Sequence, residues 1–219
     1  MRPIGIFGGT FDPIHYGHLR TSFELLGALR LAEVRFIPCG DPPHRDRTGA
    51  DAALRLRMVQ AAISGQPGFV LDDRELRRNG PSYTVDTLAE LRDEHPDRAL
   101  CLLLGMDAFG DLPKWHRWEE LLSYAHLVIA HRPGWRMPET GRLGRLAREC
   151  LTETAEDLCR AIRGRIHIEA VTQLEISSTA LRTSIASGAD PKYLVPDNVR
   201  AIIEETSCYA SDARQQANA

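Results

Sequence analysis

Residues 5–19 read GIFGGTFDPIHYGHL, and the rest of the chain is read outward from this stretch. It begins inside an apolar run, residues 3–7, that suits a β-strand. Gly8 and Gly9 follow, then Thr10 and Phe11, and the stretch closes on His15 and His18 where a helical pattern starts. Between Gly17 and Leu31 the apolar residues Leu19, Phe23, Leu26 and Leu29 recur at helical spacing. A strand, a turn poor in core-forming side chains and a helix predict the first unit of an α/β fold. The glycines let the backbone bend sharply and let a ligand come close. Their amides, with the start of the helix, can present several N–H donors to a phosphate. His15 and His18 are three apart and share a face if the helix begins near them. By itself a G-G pair is mostly a turn and H-x-x-H mostly chance; together, after a strand and before a helix, they point to phosphate binding. The spacing fits neither G-x-G-x-x-G nor a lysine-bearing Walker loop.

The same alternation continues. Residues 34–38, 69–71, 99–104, 125–130 and 166–171 read as strands, with helical patterns over 54–63, from Ser82 or Tyr83, and over 118–122. Two further helices are expected, one starting at residues 177–179 and one at Pro196, a residue suited to a first helical turn. Residues 99–104 are apolar without alternation, as in parallel strands covered on both faces. The expected architecture is a Rossmann-like, doubly wound parallel sheet with a small helical C-terminal part. Ligands in such sheets sit beyond the carboxyl ends of the strands. Four unusual stretches fall there: GGTFDPIHYGH (8–18), CGDPPHR (39–45), GMD (105–107) and HRPG (131–134).

The chain has 219 residues, 43% hydrophobic and 26% charged, with a formal net charge of −3, as in ordinary globular proteins. That charge argues against the nucleic-acid backbone as the main partner. The longest clean apolar run, residues 100–104, is far too short to span a bilayer. No charged leader with a cleavage site precedes the first strand, and the five cysteines form no C-x-x-C pair, so reduced thiols in a cytoplasmic protein are expected. Residues 1–206 read as one domain, with 133–165 as an appended loop and one amphipathic helix. Residues 207–219 read as a polar, loosely held tail.

The string GGTFDPIHYGHL resembles the signature of nucleotidyltransferases that carry an H-x-G-H motif, here His15 to His18. Its fuller form is similar to the bacterial nicotinate mononucleotide adenylyltransferases. ISSTALR, residues 176–182, resembles that family's I-S-S-T-x-x-R motif, and SYTVDTL, LLGMD, Lys114-Trp115 and HRPG fall between the two in the family's order. The resemblance runs from about residue 4 to residue 203. It implies transfer of AMP from ATP to nicotinate mononucleotide, giving deamido-NAD and pyrophosphate in NAD biosynthesis. The acceptor is already anionic, so the task is to position two anions and stabilise charge on the transferring group.

Carried over by motif, His15, His18 and Arg182 are the expected catalytic residues, with His18 stabilising the transition state. Gly8, Gly9, Thr10, Phe11, Gly105, Asp107, Ile176, Ser178 and Thr179 join them around ATP, and residues 176–206 close that site. His44 and Arg45 are candidates for the triphosphate, where the family often has lysine at the second position. Plain helix capping would also account for Ser178, Thr179 and Asp107. On the acceptor side Trp115 is expected to stack on the pyridine and the amides at Tyr83 and Thr84 to receive the carboxylate. A helix N-terminus prefers that acid to a neutral amide. His116 and Arg132 are further candidates. Mg²⁺ is expected only through the ATP phosphates, with no protein ligand. Two rivals stay open: an adenylyltransferase for nicotinamide mononucleotide or phosphopantetheine, and a silent nucleotide-binding protein. Oligomeric state is not assigned.

Overall fold

The first apolar run becomes strand β1, Ile4–Gly9, and the histidine-bearing segment becomes helix α1, Tyr16–Ala28. The structure, a computed structural model, describes residues 1–40, 49–131, 137–138, 140–172 and 174–210. Its further elements in chain order are β2 (Glu33–Pro38), α2 (Ala52–Ile63), β3 (Phe69–Leu71), α3 (Arg74–Arg77), α4 (Thr84–Glu94), β4 (Leu100–Gly105) and α5 (Met106–Gly110). Two 3-10 turns, Leu112–Lys114 and Trp118–Ser123, lead into β5 (His126–His131). Then come α6 (Gly141–Cys150), β6 (Leu151–Thr152), α7 (Asp157–Arg160), β7 (Ile166–Ala170), α8 (Ser178–Ala186) and α9 (Asp197–Thr206).

Among the described residues the strands form one seven-stranded sheet in the order β3-β2-β1-β4-β5-β7-β6, and every pairing is parallel. The expected doubly wound sheet is present, with α8 and α9 as its helical C-terminal part. Alternation within β4 serves two cores. Leu100, Leu102 and Leu104 join Ile4, Ile6, Leu127 and Ile129 beneath α4 and α6. Cys101 and Leu103 face the other way, with Val34, Phe36 and Val128, toward α1, α2 and α9. Both faces are covered, which is why the strand shows no polar alternation.

The order reverses between β1 and β4, since the chain runs outward through β2 and β3 before returning to β1's other side. Pairing of β1 with β2 continues to Gly9 opposite Pro38, whereas pairing with β4 stops at Ile6 opposite Leu102. The sheet opens at this switch point, where α/β folds bind ligands.

Several boundaries differ from the sequence reading. Helices α3, α5 and α7 have four or five residues, too few for a helical period to register. Residues 118–122 form a 3-10 turn, entered through Arg117 with a left-handed φ of 49°. Pro196 is the cap ahead of α9, not its first turn. Among its described residues the appended segment holds two helices, α6 and α7, and the short strand β6, which pairs parallel with β7. The tail is not loose throughout: Tyr209 is buried and donates a hydrogen bond to Asp12 Oδ1 at 2.7 Å, which anchors it. No helix of the described residues is long and apolar enough to cross a membrane.

Candidate active site

A cleft of about 480 Å³ opens over the split between β1 and β4. Gly8, Gly9, Thr10, Phe11, His15 and His18 line it from the amino-terminal motif, Gly105 and Asp107 from the end of β4, and Ile176, Ser178 and Thr179 from the carboxy-terminal motif. The two signatures therefore share one cavity. A Cβ on Gly8 or Gly105 would meet no protein atom within 4 Å, so each glycine keeps the cleft clear.

His15 is the N-cap of α1 and His18 its third helical residue. Their rings stack with centroids 3.7 Å apart, and the edges of Phe7 and Phe11 close in on His18 with centroids at 6.0 and 5.2 Å. Phe11 reaches this position from a left-handed backbone, φ 50°, and its side chain is buried core more than ligand surface. Burial pushes the His15 pKa down to about 4. His18 is lowered well below its usual value, by burial first and by neighbouring His15 second. Both rings are neutral at pH 7. His18 Nδ1 accepts from the His15 amide at 3.3 Å, so the neutral ring carries its proton on Nε2. Gly17 is required by this stack, since a Cβ there would lie 2.9 Å from His15 Nδ1.

On the facing wall, Ser177 caps α8, with its hydroxyl accepting from the Ala180 amide. Ser178 and Thr179 are therefore the first two helical residues, and capping does not account for them. Ser178 Oγ donates to the Pro13 carbonyl at 3.1 Å, which ties α8 to the glycine-rich turn. Arg182 does not line the cleft directly. Its Nη1 donates to the Asp12 carbonyl at 2.8 Å, and its Nη2 lies 3.4 Å from the Thr179 hydroxyl at the helix start.

A second compartment of about 210 Å³ adjoins the first and shares Gly8, Gly9, Thr10, Leu103, Leu104 and Trp115 with it. Ser82 and Thr84 bring the N-terminus of α4 to its wall, and Cys39, Glu75 and Thr87 complete a polar side. Thr87 Oγ1 donates to Glu75 Oε1 at 2.7 Å, and burial pushes the Glu75 carboxyl pKa up. Tyr83 is the N-cap of α4, and its ring lies over exposed His116 with centroids 4.3 Å apart. His116 does not line either compartment. Lys114 is exposed and pairs with Asp111 at 2.7 Å.

The family model described as cytidylyltransferase-like matches residues 6–184. The protein named "Probable nicotinate-nucleotide adenylyltransferase" of Aeromonas hydrophila is 49% identical over 94% of this chain and 97% of its own. The relative of the same name in Methylococcus capsulatus is 47% identical over 94% of this chain and 99% of its own. This chain belongs to the nicotinate-nucleotide adenylyltransferase family. The fold agrees with a solved Plasmodium falciparum nicotinic acid mononucleotide adenylyltransferase complexed with NaAD, at TM-score 0.71 and 19% identity, covering 95% of this chain and 98% of that one. The same enzyme complexed with APC matches at TM-score 0.69.

Of the candidate residues in this adenylyltransferase-family chain, His44, Arg45 and Arg132 lie outside the described residues. Three contributors escaped the sequence reading. Asp12 is a buried carboxylate of the turn that borders the cleft. Arg55, also buried, donates to the carbonyls of Thr10, Cys39 and Gly40 at 2.8 to 2.9 Å and so fixes the loops after β1 and β2. Glu75 lies in the second compartment. An acid directly before proline in a glycine-rich turn was a usable signal for Asp12. Arg55 gave none, because an arginine in a helix ordinarily lies on the solvated face.

Proposed function

We propose that this chain transfers the adenylyl group of ATP to nicotinate mononucleotide, giving deamido-NAD and pyrophosphate. A phosphate oxygen of the mononucleotide forms the new bond to the α-phosphorus, and the bond to the departing pyrophosphate breaks in line. The observation that carries this reading is the common cleft: stacked neutral imidazoles on one wall, the α8 N-terminus on the other. His18 Nε2–H is the donor for charge developing on the transferring phosphate, and His15 supports it from the stack. The first amides of α8, with Ser178 and Thr179 on the wall and Arg182 reaching from beside the Thr179 hydroxyl, hold the β and γ phosphates that become pyrophosphate. Asp107 and Gly105 border the nucleoside end.

The second compartment suits the pyridine, with Trp115 at its wall and the amides of Thr84 and its neighbours turned to an acid. Mg²⁺ is read as travelling with the triphosphate. The cleft offers mainly N–H and O–H donors, with Asp107 and the already hydrogen-bonded Asp12 as its carboxylates, a set that suits phosphates, and Mg²⁺ binds readily through substrate oxygens and water. The enzyme is read as cytoplasmic, its five unpaired cysteines suiting a reducing compartment. Pyrophosphate release measured with ATP and, in turn, nicotinate mononucleotide, nicotinamide mononucleotide and phosphopantetheine tests the reading. Turnover with nicotinate mononucleotide well above the other two is expected. Equal rates with both mononucleotides would remove the acid preference.

A further inference from the structure

The Asp12 carboxylate has no part in either substrate's contacts as assigned above, yet it joins three distant parts of the chain. Its Oδ2 accepts from the Gly49 amide at 2.8 Å and stands 3.5 Å from Arg182 Nη1. Its Oδ1 accepts from the Ala50 amide at 3.0 Å and from the Tyr209 hydroxyl at 2.7 Å. Gly49 fills the space between the partners: a Cβ there would lie 2.7 Å from Arg182 Cδ and 2.8 Å from the Tyr209 ring.

A buried carboxylate with nothing but a guanidinium for company would draw it into a close, charge-neutralising pair. Here two amides and a phenol occupy the carboxylate, and Arg182 makes its short bond to the main-chain carbonyl instead. We propose that Tyr209, acting through Asp12, is a positioning residue that keeps the Arg182 guanidinium oriented for the triphosphate. Burial beside Asp12 pushes the phenol's pKa up, so it remains a donor throughout the working pH range. This inference rests on the reading of Arg182 as a phosphate ligand.

Tyr209→Phe keeps the buried ring and removes only the donor. The KM for ATP is expected to rise about tenfold with the KM for nicotinate mononucleotide little changed, while loss of the buried bond lowers the thermal midpoint by several degrees. An unchanged ATP KM, or a parallel rise in both KM values, would overturn the proposal. Gly49→Ala presses on the same node from the opposite side and should give the same selective rise. It carries the test with the same outcomes should Tyr209→Phe not fold. In an Arg182→Ala background, Tyr209→Phe should add nothing further, and a full additional rise there would also overturn the proposal. An Arg182→Ala enzyme with normal ATP KM would instead remove the underlying reading of Arg182, a result distinct from any of these.

Discussion

At the residue scale the site depends on two uncharged imidazoles packed face to face. Loss of one preorganised donor to a developing oxyanion costs about 10²–10³ in kcat. His18→Ala should therefore lose about that factor in pyrophosphate release while its thermal midpoint stays near that of the parent. His15 makes a pH prediction for the ligand-free protein. Its folded pKa of about 4 lies below the ordinary 6.5, so the unfolded chain binds the proton first and stability falls as pH drops from 6.5 toward 4. The shift corresponds to about 3 kcal/mol. His15→Asn keeps a capping side chain, and urea unfolding at a series of pH values should show a shallower acid slope for it. Gly17→Ala would press a methyl group on the His15 ring, at a cost of about 1–3 kcal/mol, with loss of activity through the displaced stack.

Elements bring these residues together through helix N-termini: α1 and α8 on the larger cleft, α4 on the smaller compartment. The role of α4 can be probed without unwinding it. Thr84 is the first residue of α4 and Tyr83 before it is extended, so Thr84→Pro is compatible with the helix and deletes one amide donor. The KM for nicotinate mononucleotide should rise about tenfold with that of ATP unmoved, and discrimination against the nicotinamide compound should narrow. Much of this arrangement was legible from residue order. The unalternating apolar run at 99–104 predicted a doubly covered strand, and the spacing of His15 and His18 put them on one face of a helix beginning near them. What stayed hidden lacked a local pattern. Helices of four or five residues carry no period, and Arg55 sits in α2 like any polar helix residue although it is buried. Tyr209 reads as part of a polar tail, because its partner Asp12 is 197 residues away in sequence.

For the whole molecule, the reversal of strand order between β1 and β4 sets where everything else must gather. Ligand binding there should be visible globally. ATP at 100 times its dissociation constant adds about 2.7 kcal/mol, which raises the thermal midpoint of a protein this size by about 5–10 °C. A thermal-shift series with and without ATP checks this, and His18→Ala should retain most of the shift if its role lies in the reaction step. Trp115 belongs to the wall of both compartments. An occupant on either side that settles the indole lightens the ordering cost left for the other, and thermodynamic linkage makes the benefit mutual and equal in size. With the reactants seated as proposed, each should bind more tightly in the other's presence before any bond changes, through one shared aromatic ring.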